Sequence, residues 1–277
     1  MPLRVDLHSH TTASDGRTPP RELVRLARAA GVDVLAVTDH DTVDAVEECL
    51  DEGRAAGVRI VPGIEMSSRF EGRDVHVLGY GLDWRSESLR SRLAEIQARR
   101  RERVGRICAA LAEAGVALSP AEVLAEAGGK SVGRKHVARA LLKKGTVRSL
   151  DEAFDRWLAR DAVARIPVHE MSPQEAAEVV AAHGGVPVMA HPGFLDDDAA
   201  VERILDESPG LRGLEVFHRY ESSTKHLAYL GMAQRRQLLV TGGSDFHGDE
   251  HPHNARLGDY LTPPEHWKCW AKRLGGL

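Results

Sequence analysis

The tightest constraint on this chain is the rhythm of its first third. LRVDLH (3–8), DVLAVTDH (33–40) and VRIVPGIEMS (58–67) are short apolar runs, and helix-length amphipathic stretches separate them. Buried runs of that length alternating with helices predict parallel strands with covering helices. In TPPRELVRLARAAG, Leu23, Leu26, Ala27 and Ala30 recur at i, i+3, i+4 and i+7 and make one apolar face. Thr18 is placed to cap that helix, Pro19 to open it and Gly31 to end it. VDAVEECLDEGRAAG reads as the next helix.

The rhythm then changes. EMSSRFEGRDVHVLGYGL reads as a hairpin turning at EGRD, and from Ser86 to Ala164 only helical segments follow. These are an arginine-rich one at 86–114, one after the capping box Ser119-Pro120-Ala121-Glu122, one near 132–144, and one opened by Ser149 with Glu152. Alternation resumes with a helix from Ser172 and strands at VPVMAH (186–191), GLEVFH (213–218) and LLVTGGSDFH (238–247). Six or seven such units suit a closed or nearly closed α/β barrel. The expected organisation is a barrel from 1–82 and 166–277, with a helical insertion at 83–165 overhanging it as a cap.

Net charge is −4, which argues against a generally basic nucleic-acid binder and leaves any anion to a local patch or to metal ions. Cys49, Cys108 and Cys269 lie far apart with no CxxC spacing, so neither a disulfide framework nor a cysteine zinc site is indicated. The N-terminus lacks the basic start and apolar run of a signal peptide, and no apolar stretch approaches the ~18 residues of a membrane span. The expected location is cytoplasmic, with no membrane association and no obligate protein partner.

Chemistry-bearing residues gather where the strands end. His8 and His10 close the first run, His40 the second, Glu65 the third, His191 a later one, and Asp245 and His247 the last, while His76 lies in the hairpin. A parallel barrel places its active site at strand C-termini. In HxH and DxH the two residues sit at i and i+2, so an extended chain points both side chains the same way and one metal can be gripped twice. Imidazole and carboxylate donors without thiolate suit zinc, manganese or iron(II). A single strand-end histidine is usually a hydrogen-bonded core residue; convergence from so many segments favours metals.

In VDLHSHTTASDG, LAVTDHDT, PGIEMS, VHVLGYG, MAHPG and TGGSDFHG the chain resembles the PHP (polymerase and histidinol phosphatase) family, in order and outside the insertion. It is most similar to the bacterial stand-alone phosphoesterases with a helical insertion that act on nucleoside 3',5'-bisphosphates or short oligonucleotides. The resemblance implies a distorted (β/α)7 TIM-like barrel with two to three divalent ions, Mn2+, Fe2+ or Zn2+. By the same resemblance His8, His10, Glu65 and Asp245 hold the first, and Glu65 bridges to a second completed by His76 and His191. Asp15, His40 and His247 hold the third. Some family members have histidine where Asp15 stands.

Two cations sharing Glu65 can share a water and lower its pKa from ~15.7 towards neutrality, so the implied nucleophile is a metal-bridging hydroxide held via Glu65. The implied reaction is hydrolysis of phosphate monoesters of small nucleotides, the 3'-phosphate of nucleoside 3',5'-bisphosphates first, with short oligonucleotides as further substrates. Histidinol-phosphate phosphatase is the alternative within the family. A catalytically silent nucleic-acid-associated PHP module is the alternative outside the enzymes, and amide or lactone hydrolysis on a barrel amidohydrolase is the rival reaction, disfavoured because no lysine stands near a suitable strand end.

For the rest of the substrate, GGKSVGRKHVAR (128–139) clusters Lys130, Arg134, Lys135, His136 and Arg139 at a predicted helix start. Arg134 and His136 are the favoured phosphate contacts there. A P-loop is rejected, because its first glycine would fall at Leu124. His218 and Arg219 follow the run GLEVF and can meet phosphate, His218 also as an acid for the leaving oxygen. ARRRERVGR (98–106) carries Glu95 with Arg99 and Glu102 with Arg106 at i,i+4 and reads as a solvated helix face. His169, His183, His226, His251, His253 and His266 receive no role.

Overall fold

The computed structural model describes residues 2–127, 131–159, 163, 166, 171–219, 222–248 and 255–274. Among them, seven strands lie in one sheet in chain order: β1 (Val5–Asp6), β2 (Val34–Val37), β3 (Arg59–Phe70), β4 (Arg73–Tyr80), β5 (Val186–Met189), β6 (Gly213–Phe217) and β7 (Leu239–Gly242). β1 to β3 are parallel, β4 runs antiparallel to both neighbours, and β5 to β7 are parallel again. The sheet curls back on itself. Leu7 N–H donates to the Gly242 carbonyl at 3.1 Å and Ser9 bridges Phe246 in parallel register, so the chain leaving β7 meets the chain leaving β1. The architecture is a distorted α/β barrel.

β1, β2 and β7 are shorter than their apolar runs, because side chains take over the backbone groups beyond them. Asp6 accepts from the N–H groups of Ser244 and Gly258, both at 2.9 Å, and Ser9 N–H donates to Thr38 Oγ1 at 3.1 Å. The segments carrying His8, His10, Asp245 and His247 are therefore loops pinned at the barrel mouth. Gly243 lets them approach, since a Cβ there would stand 2.3 Å from the His8 Cβ.

Helix α1 (Pro20–Ala29) buries Leu23, Val24 and Ala27 and packs beside α2 (Val46–Ala56), which buries Val46 and Cys49. The cap assignment needs correcting: Pro19 occupies the N-cap position and Pro20 opens the helix, with no side-chain cap. Thr18 instead lies buried, its carbonyl accepting from Thr12 N–H at 3.1 Å.

Helix α3 (Glu87–Glu113) starts at Ser86, whose side chain accepts from Leu89 N–H. Its first half puts Leu89, Leu93 and Ile96 into the barrel's main apolar cluster. Its second half puts Val104, Ile107, Cys108 and Leu111 into a separate cluster with α4 (Pro120–Ala127), α5 (Arg134–Lys143) and α6 (Leu150–Ala153), the last running on into a π-turn at Phe154–Leu158. One helix thus belongs to two cores and ties them together. α7 (Pro173–Ala182), α8 (Asp198–Glu207), α9 (Ser223–Arg235) and α10 (Pro264–Arg273) complete the outer layer. Trp270 of α10 is fully buried and donates its ring N–H to the Val240 carbonyl at 2.9 Å.

The solvated-face reading of ARRRERVGR is overturned for Arg100 and Arg103, which are buried. Arg100 donates to the Asp41 carboxylate from Nε at 2.7 Å, to Ser67 Oγ at 2.7 Å and to the Val132 carbonyl at 3.0 Å, joining the helical layer to the barrel mouth. The i,i+4 charge pattern marks neighbours on a helix, but it does not say which arginine faces inward. Glu95 pairs with Arg92 at 3.0 Å instead. The three cysteines are free thiols, Cys49 and Cys108 buried and Cys269 exposed. Among the described residues no helix is long and apolar enough to cross a membrane.

Candidate metal centre

Glu65 is the hub of the barrel mouth. It sits within β3, level with the end of β2 through a parallel bridge to His40, and is almost wholly buried. One carboxylate oxygen, Oε1, lies 2.8 Å from His76 Nδ1 and 2.9 Å from His191 Nε2. The other, Oε2, lies 3.4 Å from His8 Nε2, 3.2 Å from His10 Nε2 and 3.1 Å from His40 Nδ1. Asp245 Oδ1 closes the second group, 3.4 Å from His8 Nε2 and 3.1 Å from His10 Nε2. His76 reaches this end of the barrel because β4 runs against its neighbours, which puts the strand's first half at the mouth.

Asp15 organises a third group. Its Oδ1 is 3.2 Å from His247 Nε2 and 3.8 Å from His10 Nδ1, and its Oδ2 is 3.9 Å from His40 Nε2. His10, Asp15, His40 and His247 can hold an ion together, as can His8, His10 and Asp245, and His40, Glu65 and His76. All nine residues singled out in the sequence as metal ligands meet at this mouth. His10 and His40 each stand between two groups, so the division into three sets is less sharp than the motifs suggest.

The donors fit divalent cations. Within this cluster His8 Nε2, both ring nitrogens of His10, His40 Nδ1, Glu65 Oε2 and His247 Nε2 are buried without a hydrogen-bond partner. Orphaned buried polar atoms are costly unless something bonds them. Burial opposes charge on Glu65, yet the rings of His40, His76, His8 and His10 around it hold its carboxyl well below the usual range. Asp245 is likewise low despite burial, through His247 and His8, and Asp15 through Lys135, His247 and His40. Burial keeps His40 well below the imidazole range and, with Lys135 and His10, pushes His247 down to about 4. On His8 and His10 burial opposes the proton, but Glu215, Asp245 and Glu65 raise the first, and the adjacent carboxylates of Asp245 and Glu65 raise the second to about 9. Divalent cations supply the positive charge these carboxylates favour, through the same nitrogen atoms.

Four carboxylates escaped the sequence reading. Glu215, fully buried in β6, faces His8 Nδ1 at 3.0 Å and accepts from His191 N–H at 2.7 Å. Asp39 accepts from Thr11 N–H, Thr11 Oγ1 and Ser14 Oγ at 2.8, 2.7 and 2.6 Å, pinning the loop that carries His10 and Asp15. Asp41 accepts from Ser67 N–H at 2.9 Å and from Arg100, and Asp6 pins the loop beyond β7. The available signal was a charge inside an apolar strand run, GLEVF, and the acids beside the histidines in VDLH and TDHD. Two of the candidate ligands have left-handed backbones, His191 at φ 23° and Asp245 at φ 50°. Non-glycine residues held there mark strain that the surroundings enforce, commonly at functional sites.

The phosphate-contact candidates divide. Arg134 begins α5 and pairs with Asp74 at 2.9 Å, on the wall of a cleft of about 640 Å³ that Arg73, Asp74, Phe194, Leu195, Asp196 and Asp197 also line. His136 requires correction. Its ring is buried, Nδ1 accepts from Gly133 N–H at 3.0 Å, and burial drives its pKa down to about 4, so it caps α5 as a neutral group. Lys135, not favoured before, places Nζ 3.5 Å from Asp15 Oδ2. His218 is fully buried against Asp245 Oδ2 at 3.5 Å, and Arg219 beside it is half-buried. Lys130, His169, His251 and His253 lie outside the described residues.

Comparison with known proteins agrees with this geometry. The PHP domain family matches residues 6–160. The chain is 33% identical over 247 residues to the 5'-3' exoribonuclease Rnm of Salmonella typhimurium, covering 87% of this chain and 84% of that one. It is 30% identical over 247 residues to the 3',5'-nucleoside bisphosphate phosphatase of Chromobacterium violaceum, covering 88% and 87%. A crystal structure assigned as a metal-dependent phosphoesterase, from Bifidobacterium adolescentis, superposes with a TM-score of 0.86 at 32% identity, covering 99% of this chain and 98% of that one. The chain belongs to the PHP family of metal-dependent phosphoesterases.

Proposed function

We propose that this chain removes the 3'-phosphate of nucleoside 3',5'-bisphosphates and also hydrolyses short oligonucleotides. One observation carries the reading: the two oxygens of Glu65 face separate histidine groups, His76 with His191 and His8 with His10 and His40, and the His191 ring touches Phe194 on the wall of a neighbouring cleft of nucleotide size. The names of the two relatives, an exoribonuclease and a bisphosphate phosphatase, point the same way.

In this reading His8, His10, Glu65 and Asp245 would hold one cation, Glu65, His76 and His191 a second, and Asp15, His40 and His247 a third. Bound there, the cations supply Lewis acidity towards phosphate oxygens and acidify water. The chain does the rest. Glu215 and Asp39 keep His8 and the 11–15 loop in place before substrate arrives, so little reorganisation accompanies the reaction. Lys135 brings a positive charge to the Asp15 side of the mouth, and Arg219 a second beyond β6, for the phosphate's charged oxygens. Arg134 forms the cleft wall against the nucleotide. His218, fully enclosed against Asp245, serves better to hold that carboxylate than to reach a departing alcohol. The helical layer of α3 to α6 acts as a cap fixed by Arg100.

Steady-state hydrolysis with Mn2+ tests the reading, using adenosine 3',5'-bisphosphate, adenosine 5'-monophosphate, a short oligoribonucleotide and histidinol phosphate. The bisphosphate is expected to have the highest kcat/KM, with slower release of mononucleotides from the oligomer. Preference for histidinol phosphate overturns the proposal.

A further inference from the structure

We propose that Phe194 is the platform on which the base of the nucleotide stacks, and so a specificity-determining residue of this site; the inference rests on the nucleotide reading above. Phe194 is 59% exposed and, among the described residues, is the one aromatic side chain among the exposed large apolar ones. A lone exposed apolar residue needs no explanation. This one stands on a 3-10 turn, Pro192–Leu195, directly after His191, with its ring 5.1 Å from the His191 ring and tilted 61° to it. It therefore adjoins the group facing Glu65 and lines the same cleft as Arg134.

The charges of that cleft select what can lie there. Arg134 is paired with Asp74 at 2.9 Å and Arg73 with Asp197 at 3.1 Å, and Asp196 adds a third carboxylate. Two cations set against three carboxylates leave no positive surplus for another phosphate. A flat, uncharged ring suits the lining better, and carboxylates at its rim can accept from exocyclic amines of a base.

The turn is also held rigid. His191 N–H donates to Glu215 Oε2 at 2.7 Å, Phe194 N–H to the His191 carbonyl at 3.0 Å, and Asp196 N–H to the Gly193 carbonyl at 3.2 Å, while Pro192 restricts the backbone at the turn's start. The ring is thus presented at a fixed place relative to the metal cluster, which lowers the ordering cost of stacking.

The test compares wild type, Phe194→Ala and Phe194→Trp on adenosine 3',5'-bisphosphate and on its counterpart lacking the base. Phe194→Ala is expected to raise KM for the nucleotide roughly 5- to 150-fold with a smaller effect on kcat, and to collapse the preference over the base-free compound. Phe194→Trp should restore that preference. Fluorescence of a 2-aminopurine nucleotide, quenched on binding wild type without added metal, should stay unquenched with Phe194→Ala. Equal losses on both compounds, or an unchanged preference, overturn the inference. Wild type that takes the bisphosphate with and without its base equally well overturns it alone. Wild type that ignores nucleotides overturns the reading beneath it as well.

Discussion

Nδ1 of His8 lies 3.0 Å from one oxygen of Glu215 and 3.2 Å from the other, with both side chains sealed from solvent. A proton on Nδ1 donates to that carboxylate, which fixes the tautomer and turns the Nε2 lone pair towards Glu65 and Asp245. Partners of this kind set both the orientation and the basicity of a metal-binding histidine. Glu215→Gln is expected to weaken metal retention roughly 10- to 100-fold while leaving the fold intact. Metal content after dialysis against graded chelator, alongside circular dichroism, checks it; unchanged retention refutes the role.

Asp15 and His8 should fail differently, because they face different groups. Asp15 is met by His247 and Lys135, whereas His8 points between Glu65 and Asp245. Asp15→Ala is expected to lose about one cation per chain and keep slow turnover, and His8→Ala to abolish turnover. Elemental analysis beside phosphate release measures both. Identical profiles for the two variants would contradict separate groups.

The residues that could be read in advance are those whose spacing is itself the signal. The i,i+2 spacing of HxH after the first strand and DxH after the last made His8, His10, Asp245 and His247 legible, although the extended geometry assumed for that spacing does not hold at Asp245, whose φ is 50°. Glu215 was not, because a single acid in GLEVF has no periodic partner; only the closed barrel reveals that His8 and His191 lie beside it. Arg100 was misread because the interior partner of a helix is a long-range contact: Asp41 stands 59 residues away. His136 was misplaced for the complementary reason, since a basic helix start looks like an anion site until the ring is seen accepting from the backbone of its own cap. The seven-strand closure depends on hydrogen bonds between the ends of the chain's first and last strands, which no local pattern encodes.

Arg100 joins the helical layer of α3 to α6 to the barrel mouth. Its guanidinium is buried against Asp41, itself without solvent exposure, whose backbone N–H donates to the Glu65 carbonyl at 3.0 Å. Removing one partner of such a pair strands the other charge, which costs about 3–5 kcal/mol, whereas removing both costs less. Arg100→Leu should lower stability by that order and speed amide exchange in α3, and adding Asp41→Asn should recover part of the loss. Urea unfolding of the single and double variants measures it, and strictly additive losses would exclude the coupling.

His136 sets an acid limit on the helical layer around α5. Its ring is neutral in the fold because burial depresses its pKa to about 4, from 6.5 in an unfolded chain, and Nδ1 must stay unprotonated to accept from Gly133 N–H. The unfolded chain therefore gains a proton on falling below pH 6.5 that the folded chain refuses. The contribution is fully present above pH 6.5 and is lost as pH falls towards 4, amounting to about 3 kcal/mol over the whole window. Denaturant unfolding of wild type and His136→Gln across pH 4 to 8 should show the wild-type advantage shrinking below pH 6.5 and flat above it. Nitrogen NMR of the ring should find a neutral tautomer protonated on Nε2 throughout pH 6 to 8. A ring titrating near 6.5 would mean that the imidazole is open to solvent, and would return His136 to the set of residues available to a phosphate.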